Sequence, residues 1–380
     1  MQNNKKPQIK KIFFSLRKRY RFFISLVSLF LSKKKKEKGF LFVLEGCETS
    51  GGIEKRVQQY AVVWRQLGYK VYYAAIRDNS LKGVDLVLSK NKKFNNLLLR
   101  LFCKHKNIFA LEWQAGGAKI PPFDFRSLIR QNILVGVAIH AVREQWDLNY
   151  LSDVHYVFCI SKEMEKRVPM LKIFPVFPNA VFNRKAVWCF CNQKKAIFIS
   201  RLSKDKLPSI ESFIQLCISV NLQFDIAGAG PESPQVEKFL MEKYSLKQEY
   251  FIGEVETEKF LIKKWKEYLF VGGIGQVILE AGMLGYPCMV CSLVGLESSF
   301  FVTNDNFVDA YETNFSPKLS FYLRKLQSSS SNLLKDYKRI NKGNIKPFNI
   351  SEKIKKKANL PIILKRYEEF VLNKIRGAKR

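Results

Sequence analysis

Short apolar runs alternate along most of this chain with amphipathic stretches at helical spacing. Residues 40–44 form an apolar run of strand length, and the turn 45–52 (Glu-Gly-Cys-Glu-Thr-Ser-Gly-Gly) follows it. From 53 to 67 the apolar positions Val57, Tyr60, Ala61 and Trp64 recur at the spacing of one helix face. Gly68 ends that helix, and residues 70–76 read as a second strand. Strand, helix, strand implies a parallel, doubly wound sheet. Residues 84–88, 108–113, 133–139 and 156–160 continue the strand pattern.

A second set of units opens near Lys195. Residues 196–200 read as a strand, and 208–219 as a helix with Pro208 in its first turn. Residues 224–227 form another strand, and Gly228-Ala229-Gly230-Pro231 turns into the next helix. Residues 250–253 and 268–271 are short strands. A glycine turn (Gly272, Gly273, Gly275) then leads into a helix from Gln276 to Met283, stopped by Gly285-Tyr286-Pro287. Residues 288–291 read as a buried strand. Residues 328–331 and 341–346 read as loops, and 352–376 as a basic, partly helical segment interrupted by Pro361. The pattern thus predicts an α/β chain of two Rossmann-like, doubly wound halves joined around residues 178–195. The expected divisions are a segment 1–38, an amino-terminal domain 39–183, a carboxy-terminal domain 184–350, and a basic segment 351–380. That last segment is expected to pack back on the amino-terminal domain as a helix.

Charge changes this picture at the ends. The chain of 380 residues carries 65 Lys and Arg against 33 Asp and Glu, a formal net charge of +32. Such a surface attracts polyanions: nucleic acid, anionic lipid or phosphorylated substrates. Residues 1–38 concentrate it, with 13 Lys and Arg against the single acid Glu37. Inside them the apolar run 22–31 is too short for a bilayer, which takes about 20 residues. Lys33 to Lys36 stand where a signal peptide would need small residues for cleavage. The segment reads as an interfacial anchor on an anionic membrane surface, with a basic tail as the open alternative. Nucleic acid is not the expected partner, because the aromatics sit in core-like runs and do not alternate with basic residues.

The 8 cysteines are scattered, mostly in apolar runs, as in a reduced compartment. Cys288 and Cys291 have CxxC spacing. Residues three apart in a strand face opposite sides, and no second CxxC follows, so neither metal nor redox chemistry is expected of them.

Candidate chemistry lies in five places. Gly51 and Gly52 precede the first helix, where backbone can approach a diphosphate. His140 ends an apolar strand, the edge at which ligands bind in open α/β sheets. The segment Val157-Phe158-Cys159-Ile160-Ser161 with Pro178-Asn179-Ala180-Val181 marks the fold. Arg201 and Lys206, five apart after a strand, can meet a diphosphate. Gly275, Gln276 and Val277 open a helix whose amino-terminal N–H groups suit an anion, and Glu280 lies one turn inside.

In this order, from about Phe40 to Leu296, these motifs resemble the retaining glycosyltransferases of family 4, which have the GT-B fold. The resemblance implies a nucleotide-diphosphate-sugar donor in a cleft between the two halves. His140, Arg201 and Lys206 would be the catalytic groups. Gly51, Gly52, Gly275, Gln276, Val277 and Glu280 would bind the donor, with Glu280 on the ribose. It implies retention at the anomeric carbon. No metal or other cofactor is expected, because fixed cations would stabilise the leaving diphosphate and no Asp-x-Asp cluster is present. This sequence departs from the family pattern in Leu207, Ala180 and Gly272. Leu207 and Ala180 stand where glycine is usual, and Gly272 where the first of two paired glutamates is usual. With the basic amino-terminal segment, the expected acceptor is a lipid-linked or glycan molecule of bacterial surface polysaccharide or lipopolysaccharide assembly. The expected location is cytoplasmic, at the inner face of the cell membrane. The alternative is a GT-B-like protein that binds at a membrane surface without catalysis. A sugar-nucleotide epimerase would need more acid–base groups than one well-placed histidine supplies.

Overall fold

The computed structural model describes residues 37–44, 52–76, 84–89, 91–115, 121, 123–140, 149–167, 175–316 and 333–377. The apolar run 22–31, the turn carrying Gly51, and the serine stretch 328–331 lie outside the described residues. The chain divides into two compact units. Met1–Phe158 with Glu368–Arg380 make one, and Cys159–Tyr367 the other.

The first unit has the strands β1 (Gly39–Leu44), β2 (Lys70–Ala75), β3 (Leu86–Val87), β4 (Ile108–Ala115), β5 (Leu134–Ile139) and β6 (Tyr156–Cys159). Their order is β3-β2-β1-β4-β5-β6, with parallel pairing from β3 to β5. The helices are α1 (Gly52–Gln66), α2 (Lys92–His105) and α3 (Phe125–Ile129). α1 forms where the spacing predicts it, and Val57, Tyr60, Ala61 and Trp64 are its buried side. Trp64 stacks on Phe40 at 3.7 Å between ring centroids, which fixes α1 to the sheet face carrying Phe40 and Phe42. β1 is buried along its whole length because helices cover both faces of a doubly wound sheet.

The second unit begins with α4 (Lys162–Arg167). Its strands are β7 (Lys195–Ile199), β8 (Gln223–Ala227), β9 (Phe251–Gly253), β10 (Tyr268–Gly273), β11 (Cys288–Val290) and β12 (Phe300–Phe301). The order is β12-β11-β10-β7-β8-β9, parallel except for the antiparallel edge strand β12, which the sequence pattern did not reveal. The remaining helices are α5 (Leu207–Ser219), α6 (Ser233–Tyr244), α7 (Thr257–Lys263), α8 (Gln276–Met283), α9 (Phe307–Glu312), α10 (Leu333–Asn341), α11 (Ser351–Lys357) and α12 (Leu360–Gly377). One core lies between the sheet, α8 and α11, with Ile199, Val271, Cys288, Ile278 and Ile354. The other packs α5 and α6 against Phe198, Met289 and Cys291. Cys288 and Cys291 therefore belong to opposite faces, and burial raises both thiols far above their ordinary range.

Pro361 does not interrupt a helix. The break falls at Ala358–Asn359, and Pro361 sits in the first turn of α12, where a missing N–H costs nothing. α12 supplies Ile363 and Tyr367 to the second unit. Beyond residue 367 it belongs to the first, where the Phe370 ring stands 5.6 Å from Tyr156 and 6.4 Å from Phe158. Among the described residues no helix is long and apolar enough to cross a membrane.

Candidate functional sites in the two units

In the second unit the chain runs β7, β8, β9 outward one way, then returns and runs β10, β11, β12 the other way. The strand order therefore reverses between β7 and β10. Loops at the carboxyl ends of the strands flanking such a reversal form the usual ligand crevice of open α/β sheets. Here those loops carry Arg201 and Lys206 after β7, and Gly275 after β10.

Arg201 and Lys206 share one anion. Asp205 lies 3.8 Å from the Arg201 guanidinium and 3.2 Å from the Lys206 ammonium. Ser203 Oγ also donates to Asp205 at 2.5 Å. Burial alone would raise the Asp205 carboxyl. The Ser203 hydroxyl and the two cations outweigh it and hold the group below its ordinary range. The loop is tied down by Glu232, which accepts from the Lys204 N–H at 2.8 Å. Asp205 stands inside the Arg201–Lys206 motif, but the sequence reading gave neither it nor Glu232 a role. Their acidity in a strongly basic chain was the available signal.

Gly275 caps α8 with φ +66°, a backbone conformation that glycine adopts without strain. Its own N–H is taken by the Phe315 carbonyl at 3.3 Å. The next two amides, Gln276 and Val277, lie at the positive end of the helix. The Gln276 side chain is occupied: Nε2 donates to the Ala180 carbonyl at 3.1 Å. Glu280 lies one turn further in and is buried. Position 272 is in β10 and faces α5. A Cβ there would stand 2.5 Å from the Phe213 ring, so a glutamate at this point would enter an apolar core. Pro178-Asn179-Ala180-Val181 acts as a bracket within this unit. The Asn179 carbonyl accepts from Tyr311, Ala180 from Gln276, and Val181 exchanges backbone hydrogen bonds with Ala358 and Leu360.

In the first unit the strand order reverses between β1 and β4, and His140 follows β5 next to them. Its N–H extends the ladder to the Ala115 carbonyl at 3.0 Å. The ring is buried, and Nε2 lies 2.7 Å from Gln114 Oε1. Burial, with the nearby Arg56 charge, holds the imidazole well below its ordinary basicity. Arg56 is itself buried on α1, donating to the Tyr60 hydroxyl at 2.7 Å and lying over the Phe158 ring. Gly52 opens α1 and is exposed, and Gly51 is outside the described residues. The sequence reading singled out neither Gln114 nor Arg56. Arg56 stands one turn before Tyr60 on the predicted helix, and Gln114 just past the predicted strand 108–113. Among the described residues no group of three His, Cys, Asp or Glu side chains converges as metal ligands would.

Two Rossmann-like units, each with its candidate groups at the carboxyl ends of its strands, define the two-domain GT-B fold. Solved structures with this fold match along nearly the whole chain. The apo form of the lipopolysaccharide outer core galactosyltransferase WaaB is 11% identical, with a TM-score of 0.57 covering 89% of this chain and 99% of its own. A glycosyltransferase from Rickettsia africae ESF-5 is 12% identical, with a TM-score of 0.56 and coverages of 89% and 99%. The pneumococcal O-GlcNAc transferase GtfA, solved with UDP and GlcNAc, is 13% identical, with a TM-score of 0.55 and coverages of 90% and 100%. At such identities the likeness is one of fold. No protein-family model and no curated protein matches the sequence.

Proposed function

We propose that this chain is a glycosyltransferase that moves a sugar from a nucleotide-diphosphate donor to a glycan or lipid-linked acceptor. The observation that carries the reading is the pairing of two loops at the strand reversal of the second unit. One presents Arg201 and Lys206; the other presents the amino terminus of α8. Positive groups fixed there would stabilise the leaving diphosphate without a metal ion. Asp205 holds both cations until the diphosphate arrives and yields them to its stronger double charge. Glu280 would accept from the ribose hydroxyls, and His140 would meet the donor sugar. Retention at the anomeric carbon follows the family resemblance. The 13 basic residues of the first 38 support work at an anionic membrane surface on the cytoplasmic side, in surface polysaccharide or lipopolysaccharide assembly.

The test is a thermal-shift panel of UDP, GDP, ADP, CMP and their sugars, followed by radiolabelled donor with membrane extract. A ligand that binds only the folded state raises the melting temperature. One nucleotide diphosphate should do so. Arg201→Ala or Lys206→Ala should weaken it by about 10-fold or more, the loss of one charge-assisted contact of about 1.5–3 kcal/mol. Asp205→Asn should strengthen it, by removing the competing anion. If no nucleotide shifts the protein, or both cation variants bind and turn over as the parent does, the reading fails. Binding without turnover of any donor would leave a GT-B-like binding protein.

A further inference from the structure

Four polar side chains on one face of the first unit's sheet form an unbroken buried chain. Tyr156, from β6, donates its hydroxyl to Glu112 Oε2 at 3.1 Å. Gln114 Nε2 donates to Glu112 Oε1 at 2.6 Å. Gln114 Oε1 faces His140 Nε2 at 2.7 Å. Glu112 and Gln114 are alternate residues of β4, so both project from the same face. The backbone makes room for this. Gly136 lies beside Glu112 in register, and a Cβ there would stand 2.0 Å from the Tyr156 ring. Only a residue without a side chain lets Tyr156 cross β5 and reach Glu112.

The chemistry of this chain has one direction. Burial and the adjacent Glu112 keep Tyr156 a phenol, so it donates. Both Glu112 oxygens act as acceptors, one for Tyr156 and one for Gln114. Gln114 must therefore turn its NH₂ towards Glu112, which leaves its carbonyl oxygen towards His140. That oxygen can only accept, so the ring nitrogen facing it carries the proton. Burial and Arg56 keep the imidazole neutral, so its single proton is the one on Nε2.

We propose that Glu112 and Gln114 are positioning residues that hold His140 as the Nε2–H tautomer and present Nδ1 as a hydrogen-bond acceptor for a ligand hydroxyl. Nδ1 has no hydrogen-bond partner among the described residues. On the glycosyltransferase reading, on which the ligand part of this inference rests, the hydroxyl belongs to the donor sugar or the acceptor. An imidazole free to take either tautomer would present that acceptor only part of the time. The polar chain would thus act through His140, without touching substrate.

The tautomer is measurable without any ligand. The full-length protein, ¹⁵N-labelled at its three histidines, gives long-range ¹H–¹⁵N correlations at pH about 7.5, assigned with His140→Gln. His140 should show a protonated Nε2 and an unprotonated Nδ1. In Gln114→Leu, or in the milder Glu112→Gln, where an amide no longer dictates which way Gln114 points, the two tautomers should mix. Turnover in either variant should drop on the order of 10- to 100-fold in kcat, with donor KM changing less. A wild-type His140 protonated on Nδ1 overturns the proposal. So does a tautomer unmoved in both variants, or a kcat unchanged in both while Arg201→Ala abolishes turnover. Failure of the wild-type protein to bind or turn over any donor, with the Nε2–H tautomer observed and lost in the variants, sinks the transferase reading alone.

Discussion

His140 is where burial and charge act most strongly on one side chain. In the unfolded chain its imidazole would titrate near 6.5, whereas in the folded unit burial and Arg56 push that value down. Between the two values the unfolded state binds the proton and the folded state does not. Stability from this residue is therefore complete above pH 6.5 and is lost as pH falls below it. Urea unfolding at pH about 7.5 and about 5.5 should show a larger loss in the parent than in His140→Gln. Equal losses would mean that the imidazole is not held neutral. The groups around it are legible to different degrees. His140, Arg201 and Lys206 stand out because each follows an apolar strand. Gln114 and Glu112 look like interruptions of β4 until Tyr156, 44 positions from Glu112, is found bonded to it.

At the scale of elements, the same chain depends on β5 passing beneath Tyr156. Gly136→Ala would place a methyl inside that ring, so Tyr156 must move and its hydrogen bond to Glu112 is lost. Overpacking costs about 1–3 kcal/mol, and the lost hydrogen bond about 0.5–1.5 kcal/mol more. Chemical denaturation should show a combined loss of about 1.5–4.5 kcal/mol, with Tyr156→Leu added to Gly136→Ala recovering part of it. A Gly136→Ala protein as stable as the parent would show that the ring does not lie over β5. Most strands were readable from apolar runs, and α1, α5 and α8 from period and punctuation. The edge strand β12 was not, because two residues carry no period and its pairing with β11 is decided by the neighbouring strand. The resemblance expects a glutamate at position 272, but the side-chain direction there is set by β10, which aims it at Phe213.

At the scale of the whole molecule, the last helix contributes residues to both units. Residues 368–380 belong to the first unit although they follow the second in the chain. Val371 and Ile375 are buried there, and Phe370 covers Tyr156 and Phe158. Truncation after Tyr367 would remove two buried aliphatic side chains, about 1.5–3 kcal/mol each, so the first unit should lose about 3–6 kcal/mol. Hydrogen exchange should show weakened protection in β4, β5 and β6 and little change in β10 and β11. Unchanged protection in β5 and β6 would contradict that role for the helix.

The sequence alone determined the two doubly wound halves, because apolar period and turn residues are local signals read within about fifteen positions. It also set the candidate cations and the amino terminus of α8 at strand ends, where chain order implies them. Tertiary structure alone decided which face each strand residue takes and which amides and side chains are already occupied. It alone strung Tyr156, Glu112, Gln114 and His140 into one hydrogen-bonded chain. Those depend on partners distant in sequence, and a hydrogen bond between residues 44 or 26 positions apart leaves no pattern in either segment.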